Sequence, residues 1–168
     1  MGTGDHKKKT PKNLNIAVIS ASSTRRDIEE DKSGLWIKKQ ARKEGHEVVV
    51  HNTVADDTEA IRDIVGRHSE RVGQAIILLC CGTAIARKDV TIEAVQPLFD
   101  KTLTAFGTLF TQLSFDEIDS AALLSRAAAG IISSTIVFCM PGSLNACKLA
   151  CNQLIFPELG HLAKHIRE

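Results

Sequence analysis

The feature that most constrains this chain is an unbroken apolar run, Ile76-Ile77-Leu78-Leu79-Cys80. It stops at a turn of small residues, Cys81-Gly82-Thr83-Ala84, and then meets a knot of charge, Arg87-Lys88-Asp89. A run with no polar face reads as a strand covered on both sides, and such strands belong to parallel sheets with helices over each face. Residues 14–20 (LNIAVIS) and 135–140 (TIVFCM) share that character, and residues 47–52 (EVVVHN) make a more polar fourth strand. Strands alternating with helical patterns at this spacing predict right-handed crossovers. The predicted fold class is therefore α/β, a three-layer α/β/α sandwich on a mostly parallel sheet. Ligands of such sheets lie in the crevice beyond the carboxyl ends of the strands, so the turn after residue 80 is read as the active edge.

Between the strands the chain carries its own punctuation. Residues 1–13 are polar, with Lys7-Lys8-Lys9 and Pro11, and read as a flexible tail; residues 14–168 show no internal linker and read as one domain. Residues 21–30, rich in Ser, Thr, Arg and Asp, predict a mobile loop at the ligand edge. Asp31 or Ser33 is placed to cap a helix that ends at Gly45, and Asp56-Asp57 opens a second running to about Arg71. Residues 91–100 predict a third, with Glu93 near its N-terminus where negative charge is favoured. A turn is expected at Phe106-Gly107 and a helical segment after it, to 118. The alanine-rich residues 119–130 predict a helix closed by Gly130, whose small residues over 121–129 would let a neighbouring subunit approach closely. Pro141-Gly142-Ser143 forms a sharp turn capping a helix over 144–155, and Pro157 opens the last helix, to residue 166.

Composition excludes several function classes. A formal net charge of +1 in 168 residues gives no general electrostatic case for nucleic acid, and no apolar stretch reaches the length of a membrane span. The five cysteines, an odd number lying mostly inside apolar runs, read as reduced buried thiols, which places the chain in the cytoplasm. Met1-Gly2 begins like an acylation signal, but His6 stands where a hydroxyl residue is required.

Two carboxylates and two turns carry the candidate chemistry. Asp56 and Asp89 each fall a few residues beyond a predicted strand, on one rim of the sheet. Converging there, they would hold Mg²⁺ against a polyphosphate. The plainer alternative makes Asp56 a helix cap and Asp89 a partner of Arg87 or Lys88. The turns at Gly82-Thr83 and Pro141-Gly142-Ser143 present backbone donors and hydroxyls suited to phosphate, though any tight strand-to-helix turn needs small residues. Cys147 and Cys151, four apart among apolar neighbours, read as core rather than a metal pair. His161 and His165 repeat the spacing near the C-terminus, where a surface or interface role competes with metal binding. Cys81, in the turn itself, lacks a nearby histidine to serve as base.

The landmarks taken together resemble one family. Asp31-x-Ser33-Gly34, Gly45-His46, Val54-x-Asp56-Asp57, Gly82-Thr83, Asp89-Val90-Thr91, Phe106-Gly107, Leu113-Ser114, Ser125-Arg126-Ala127-x-Ala129-Gly130 and Pro141-Gly142-Ser143 stand in the order seen in the MoaB/MogA molybdenum cofactor biosynthesis proteins and the gephyrin G domain. The resemblance implies a molybdopterin-binding fold assembled as homotrimers, sometimes paired into hexamers. It implies binding of molybdopterin and Mg-ATP, with adenylylation of the pterin's terminal phosphate. By the same resemblance Asp56 and Asp89 serve as the catalytic and Mg²⁺-binding acidic pair, and Gly82, Thr83, Pro141, Gly142 and Ser143 line the pterin-phosphate site. Departures cluster near that chemistry. Cys81 and Ala84 replace glycines of the family's GGTG turn, Ile92 its proline, and Thr108 and Thr111 its Glu and Arg. If position 84 demands a left-handed backbone, alanine there costs roughly 1–2 kcal/mol. The alternative to an enzyme is then a pterin- or nucleotide-binding protein, or a structural oligomer, that has lost turnover.

Overall fold

Strand β1 (Asn15–Ala21) is flanked on both sides by parallel partners, β2 (Glu47–Val54) and β3 (Ile76–Cys81), and β3 in turn pairs in parallel with β6 (Thr135–Pro141). The six-stranded sheet runs β2-β1-β3-β6-β5-β4, its far edge completed by two antiparallel strands, β5 (Ala128–Ile132) and the short β4 (Lys101–Thr102). These observations come from a computed structural model, which describes residues 13–22, 27–71, 73 and 75–168. The expected tail lies outside those residues except for Asn13, as does much of the expected loop over 21–30, of which Ile28–Glu30 form a 3₁₀ turn.

The apolar runs are covered on both faces, as their lack of a polar side requires. Ile16, Val18, Ile76, Leu78, Ile136 and Phe138 point into one core, shared with α1 (Lys32–Lys43), α4 (Thr104–Ile118), α5 (Leu144–Ala150) and α6 (Phe156–Arg167). Ala17, Ile19, Ile77, Leu79, Val137 and Cys139 point into the other, closed by α2 (Thr58–Ser69) and the short α3 (Thr91–Val95). Strict alternation along each strand thus builds two cores from one continuous run. β2, at the edge, is the strand whose sequence is mixed.

Three expectations need correction. Residues 119–130 are not a helix: Asp119–Leu124 form a 3₁₀ turn and Ala128–Ile132 the strand β5. Alanine's helix propensity is a weak prior, and here the backbone of β5 is satisfied by β6 on one side and β4 on the other. Gly130 closes no helix; it lies under the Phe99 ring, which a Cβ there would meet at 2.3 Å. The small-residue helical face expected over 121–129 is therefore absent. Phe106-Gly107 is likewise no turn but sits inside α4. Phe106 packs edge-on against Phe138 with ring centroids 5.1 Å apart, and a Cβ on Gly107 would come within 2.7 Å of the Ala127 carbonyl oxygen. Gly107 is small because the strand-leading segment passes against the helix. Finally, residues 91–100 hold only α3 and a 3₁₀ turn over Gln96–Leu98 before the chain enters β4.

The C-terminal helix has an unusual middle. Between α5 and α6 the segment Cys151–Ile155 is a π turn. Cys147, Cys151, Ile155, Leu159 and Ala163 repeat every four residues, and all are buried. In a regular α-helix a four-residue repeat drifts about 40° per step around the axis, so five such positions cannot share one face. A π turn rotates less per residue and takes the drift back. It also lies just ahead of Pro157, whose missing N–H cannot complete an α-helical ladder.

Candidate functional site at the carboxyl rim of the sheet

From β1 the chain crosses to β2 on one side, then returns to β3 on the other, so the order reverses at the carboxyl ends of β1 and β3. In sheets of this kind such a reversal splays the outgoing connections apart, and ligands bind between them. Here a buried polar node ties the rim together. The Ser20 hydroxyl at the end of β1 donates to the Asp31 carboxylate, which also meets His51 Nε2 of β2 at 2.9 Å and accepts the Gly34 N–H at 2.9 Å. Asp31 is fully buried and caps α1, the first of the two residues proposed for that role. Burial acts to raise its pKa, but the hydrogen bonds from Ser20, Gly34 and His51 outweigh it and hold the carboxyl below its ordinary range. Ser33, the other candidate cap, instead donates to the Gly142 carbonyl at 2.8 Å.

The two small-residue turns are both held at this rim. Pro141-Gly142 receives Ser33 from α1 and the Cys147 thiol, which approaches the Pro141 carbonyl at 3.3 Å. Ser143 caps α5, accepting the Ala146 N–H at 3.2 Å. After β3, the Gly82 carbonyl accepts the Thr91 N–H at 3.2 Å, and the intervening loop folds back on itself. Asp89 Oδ2 accepts the Ala86 N–H at 2.8 Å, while its other oxygen lies over Gly82: a Cβ there would stand 2.6 Å from Oδ1 and 3.2 Å from the Asp89 Cα. Only glycine lets the loop close to this shape. Thr83 is 1% exposed, and its hydroxyl has no hydrogen-bond partner among the described residues.

Asp56 is half-buried two residues beyond β2, on the same rim as Asp89. The cap that Asp56 was in competition for belongs to Asp57, which accepts the Ala60 N–H at 2.9 Å. Strand β1 lies between the two strands that carry Asp56 and Asp89, so their attachments are separated by two interstrand spacings, about 10 Å. No group of three or more His, Cys, Asp or Glu is arranged to hold a metal among the described residues. The donors on this rim are carboxylate and hydroxyl oxygens, the chemistry Mg²⁺ prefers, and Mg²⁺ commonly takes only one or two carboxylates, completing its shell with water and phosphate. The residues present therefore fit that ion.

A residue with no assigned role in the sequence reading proves central. Arg126, on the segment leading into β5, reaches across to the β3 loop. Its Nε donates to the carbonyls of Thr83 and Ala84 at 2.8 and 3.0 Å, and its terminal nitrogens donate to both Glu93 oxygens at 2.6 and 3.3 Å and to the Asp89 carbonyl at 3.4 Å. The guanidinium lowers the Glu93 pKa, chiefly by hydrogen bonding. Beside it, Gly107, Thr108, Thr111, Gln112 and Ser125 line an open cavity of about 610 Å³. The Thr108 and Thr111 hydroxyls are turned back on the carbonyls of Thr104 and Gly107 in their own helix.

The glycine replacements put no side chain on a left-handed backbone. Among the described residues the non-glycine positions with positive φ are Asp119 and Ser133, so neither Cys81 nor Ala84 occupies the left-handed region. Cys81 is buried at the end of β3, and burial first of all pushes its thiol well above the ordinary range, which suits packing and not nucleophilic attack. Cys147 and Cys151 are fully buried in the core, as their neighbours indicated.

Comparison with known proteins agrees with this architecture. The family model described as "Probable molybdopterin binding domain" matches residues 16–161. The chain is 44% identical over 165 residues to molybdenum cofactor biosynthesis protein B of Bacillus cereus, covering 96% of each chain. It is 39% identical over 173 residues to the molybdopterin adenylyltransferase of Pyrococcus furiosus, covering 100% of each. A crystal structure of molybdenum cofactor biosynthesis protein B superposes with a TM-score of 0.91 at 41% identity, over 95% of this chain and 99% of that one. With fold, landmark residues and full-length similarity in accord, the chain belongs to the MoaB/MogA family of molybdenum cofactor biosynthesis proteins.

Proposed function

We propose that this protein binds molybdopterin and Mg-ATP at the carboxyl rim and transfers the adenylyl group to the pterin's terminal phosphate, releasing pyrophosphate. The observation that supports the proposal is that Asp56, just past β2, and Asp89, in the loop after β3, lie on one rim of the sheet where the strand order reverses, together with the buried Thr83 hydroxyl, which has no hydrogen-bond partner among the described residues. Asp56 and Asp89 would hold the Mg²⁺, which supplies charge neutralisation at the phosphates. Gly82 and Thr83, with Pro141, Gly142 and Ser143 on the neighbouring turn, would receive the pterin phosphate through backbone N–H groups and hydroxyls. The name of the Pyrococcus relative supports the reaction assigned. The reading in which turnover has been lost draws on the departures at Cys81, Ala84, Ile92, Thr108 and Thr111; that neither Cys81 nor Ala84 has a left-handed backbone speaks against only the strain part of it.

Assembly is part of the proposal. Leu109, Phe115, Ile118, Leu123 and Leu124, on α4 and the 3₁₀ turn after it, are exposed large hydrophobics, Leu123 to 82%. A cluster of this kind suits a buried interface between copies of the chain, as a homotrimer or a hexamer would provide. No helix among the described residues is long and apolar enough to cross a membrane; the buried free cysteines suit a reducing compartment, and this reading puts the reaction in the cytoplasm.

The direct test incubates the protein with molybdopterin, Mg²⁺ and ATP and follows formation of adenylylated pterin. Product formed by the native chain and lost in Asp89→Ala supports the reading. Undiminished adenylylation by that variant refutes the role of Asp89, and tight pterin binding without product moves the chain to the binding class.

A further inference from the structure

On the last turns of α6, far along the chain from the rim carboxylates, two imidazoles face each other with their Nε2 atoms 3.0 Å apart, His161 and His165. Each ring is fixed from behind. His161 Nδ1 lies 3.2 Å from Glu158 Oε2, and His165 Nδ1 lies 3.3 Å from Glu168 Oε2. A carboxylate at Nδ1 selects the tautomer with the proton on that nitrogen, which leaves the lone pair on Nε2. With both rings held in this way and their protons on Nδ1, the two Nε2 lone pairs would face each other across 3.0 Å, a geometry that a positive centre between them relieves.

We propose that His161 and His165 form a binding site for a first-row transition metal ion of the Ni²⁺ or Cu²⁺ type, with Glu158 and Glu168 orienting the two rings. With metal–nitrogen bonds of about 2.1 Å, a 3.0 Å separation subtends roughly 90–95° at the ion. That is the angle between adjacent ligands of an octahedral or square-planar ion and is too narrow for tetrahedral Zn²⁺. His161 and His165 would be the only side-chain ligands, water completing the shell, since no set of three metal-binding side chains is found among the described residues. The carboxylates of Glu158 and Glu168 beside the two rings offset the nearby Lys164 and Arg167. The site is open to solvent, His165 being 62% exposed at its side chain. Its ligands are soft enough to exclude Mg²⁺, so the chain would separate two metal chemistries: oxygen donors at the rim and imidazole nitrogen on α6.

The test titrates the intact protein with NiCl₂ alone by isothermal calorimetry. One equivalent should bind in the micromolar range, and His161→Ala and His165→Ala should each weaken it by at least tenfold while leaving the melting temperature unchanged. In NMR spectra the side-chain resonances of these two histidines should broaden first. Equal binding by both variants, or no heat at 100 μM protein, overturns the proposal and leaves the pair as a proton-sharing hydrogen bond. Because adenylylation is not the readout, failure of the reaction proposed above would leave this result standing.

Discussion

Removing Arg126 separates two contributions that the structure superimposes. Arg126→Ala deletes the pair with Glu93 and also the donors that hold the carbonyls of Thr83, Ala84 and Asp89, whereas Glu93→Gln removes only the charge of the partner. The pair is partly solvated, its side chains 36% and 55% exposed, so its own worth is no more than about 0.5–1 kcal/mol. The contacts to backbone carbonyls are charge-assisted, and discounting for the same exposure they add about 1–2 kcal/mol together. Arg126→Ala should then cost about 1.5–3 kcal/mol and Glu93→Gln no more than about 1. For a chain of this length each kcal/mol moves the melting temperature by roughly 2–4 °C. The arginine variant should melt about 3–12 °C lower, and the glutamine variant within about 4 °C of native. Thermal unfolding at one fixed protein concentration, repeated for the double variant, gives the coupling between the two residues. If both single variants fall by the same amount, the carbonyl contacts contribute nothing and the clamp on the β3 loop is an ordinary surface ion pair.

Other outcomes follow from the same geometry. Gly82→Ala places a Cβ 3.2 Å from the Asp89 Cα and 2.6 Å from its Oδ1, so the carboxylate must move by a substantial fraction of an ångström. Adenylylation should drop by about 10- to 100-fold while the melting temperature changes by only a few degrees. Ala84→Gly should raise no activity and cost a few tenths of a kcal/mol, because no left-handed conformation is waiting to be relieved; a large gain would revive the decayed-enzyme reading. Asp31 contributes to pH-dependent stability. Its folded pKa is depressed below the unfolded value of 3.8, so its stabilisation is present above about pH 4 and is lost as pH falls through the lower folded pKa. Asp31→Asn should therefore lower the melting temperature at pH 7 and flatten its acid limb, as measured by melts between pH 2 and 7. Gly130→Ala, whose Cβ would strike the Phe99 ring at 2.3 Å, should cost about 1–3 kcal/mol in urea unfolding.

The parts of the fold legible in the sequence are those where local pattern and long-range environment agree. The runs at 76–80 and 135–140 lack a polar side because both faces are covered, and Asp57 and Ser143 cap the helices that follow them. The alanine-rich stretch misled because alanine carries little information beyond its helix preference. Its fate is decided by pairing with β6 and β4, partners whose interaction no local window reveals. Gly107 and Gly130 look like punctuation in a local window, although each is small because a distant carbonyl or ring passes over it. At the site, Asp56 and Asp89 could be placed on one rim from strand direction alone. The Ser20, Asp31 and His51 node and the reach of Arg126 could not, since they join segments tens of residues apart through side-chain geometry. One signal was available for Arg126: a lone basic residue in an otherwise small, uncharged run, Ser125 to Gly130, at the mouth of a strand.

The π turn at Cys151–Ile155 bears on how this chain tolerates changes of length. Such a turn accommodates one residue more than the flanking α geometry would, and the surplus is absorbed locally so that both halves keep their faces on the core. Shortening the segment by a single position would convert it to ordinary helix and leave Cys147 and Leu159 seated as they are. The same deletion placed two turns later has no slack to draw upon, and would swing everything beyond it about 100° around the axis. Relatives differing by one residue in this helix should therefore carry the gap at the wide turn and nowhere else.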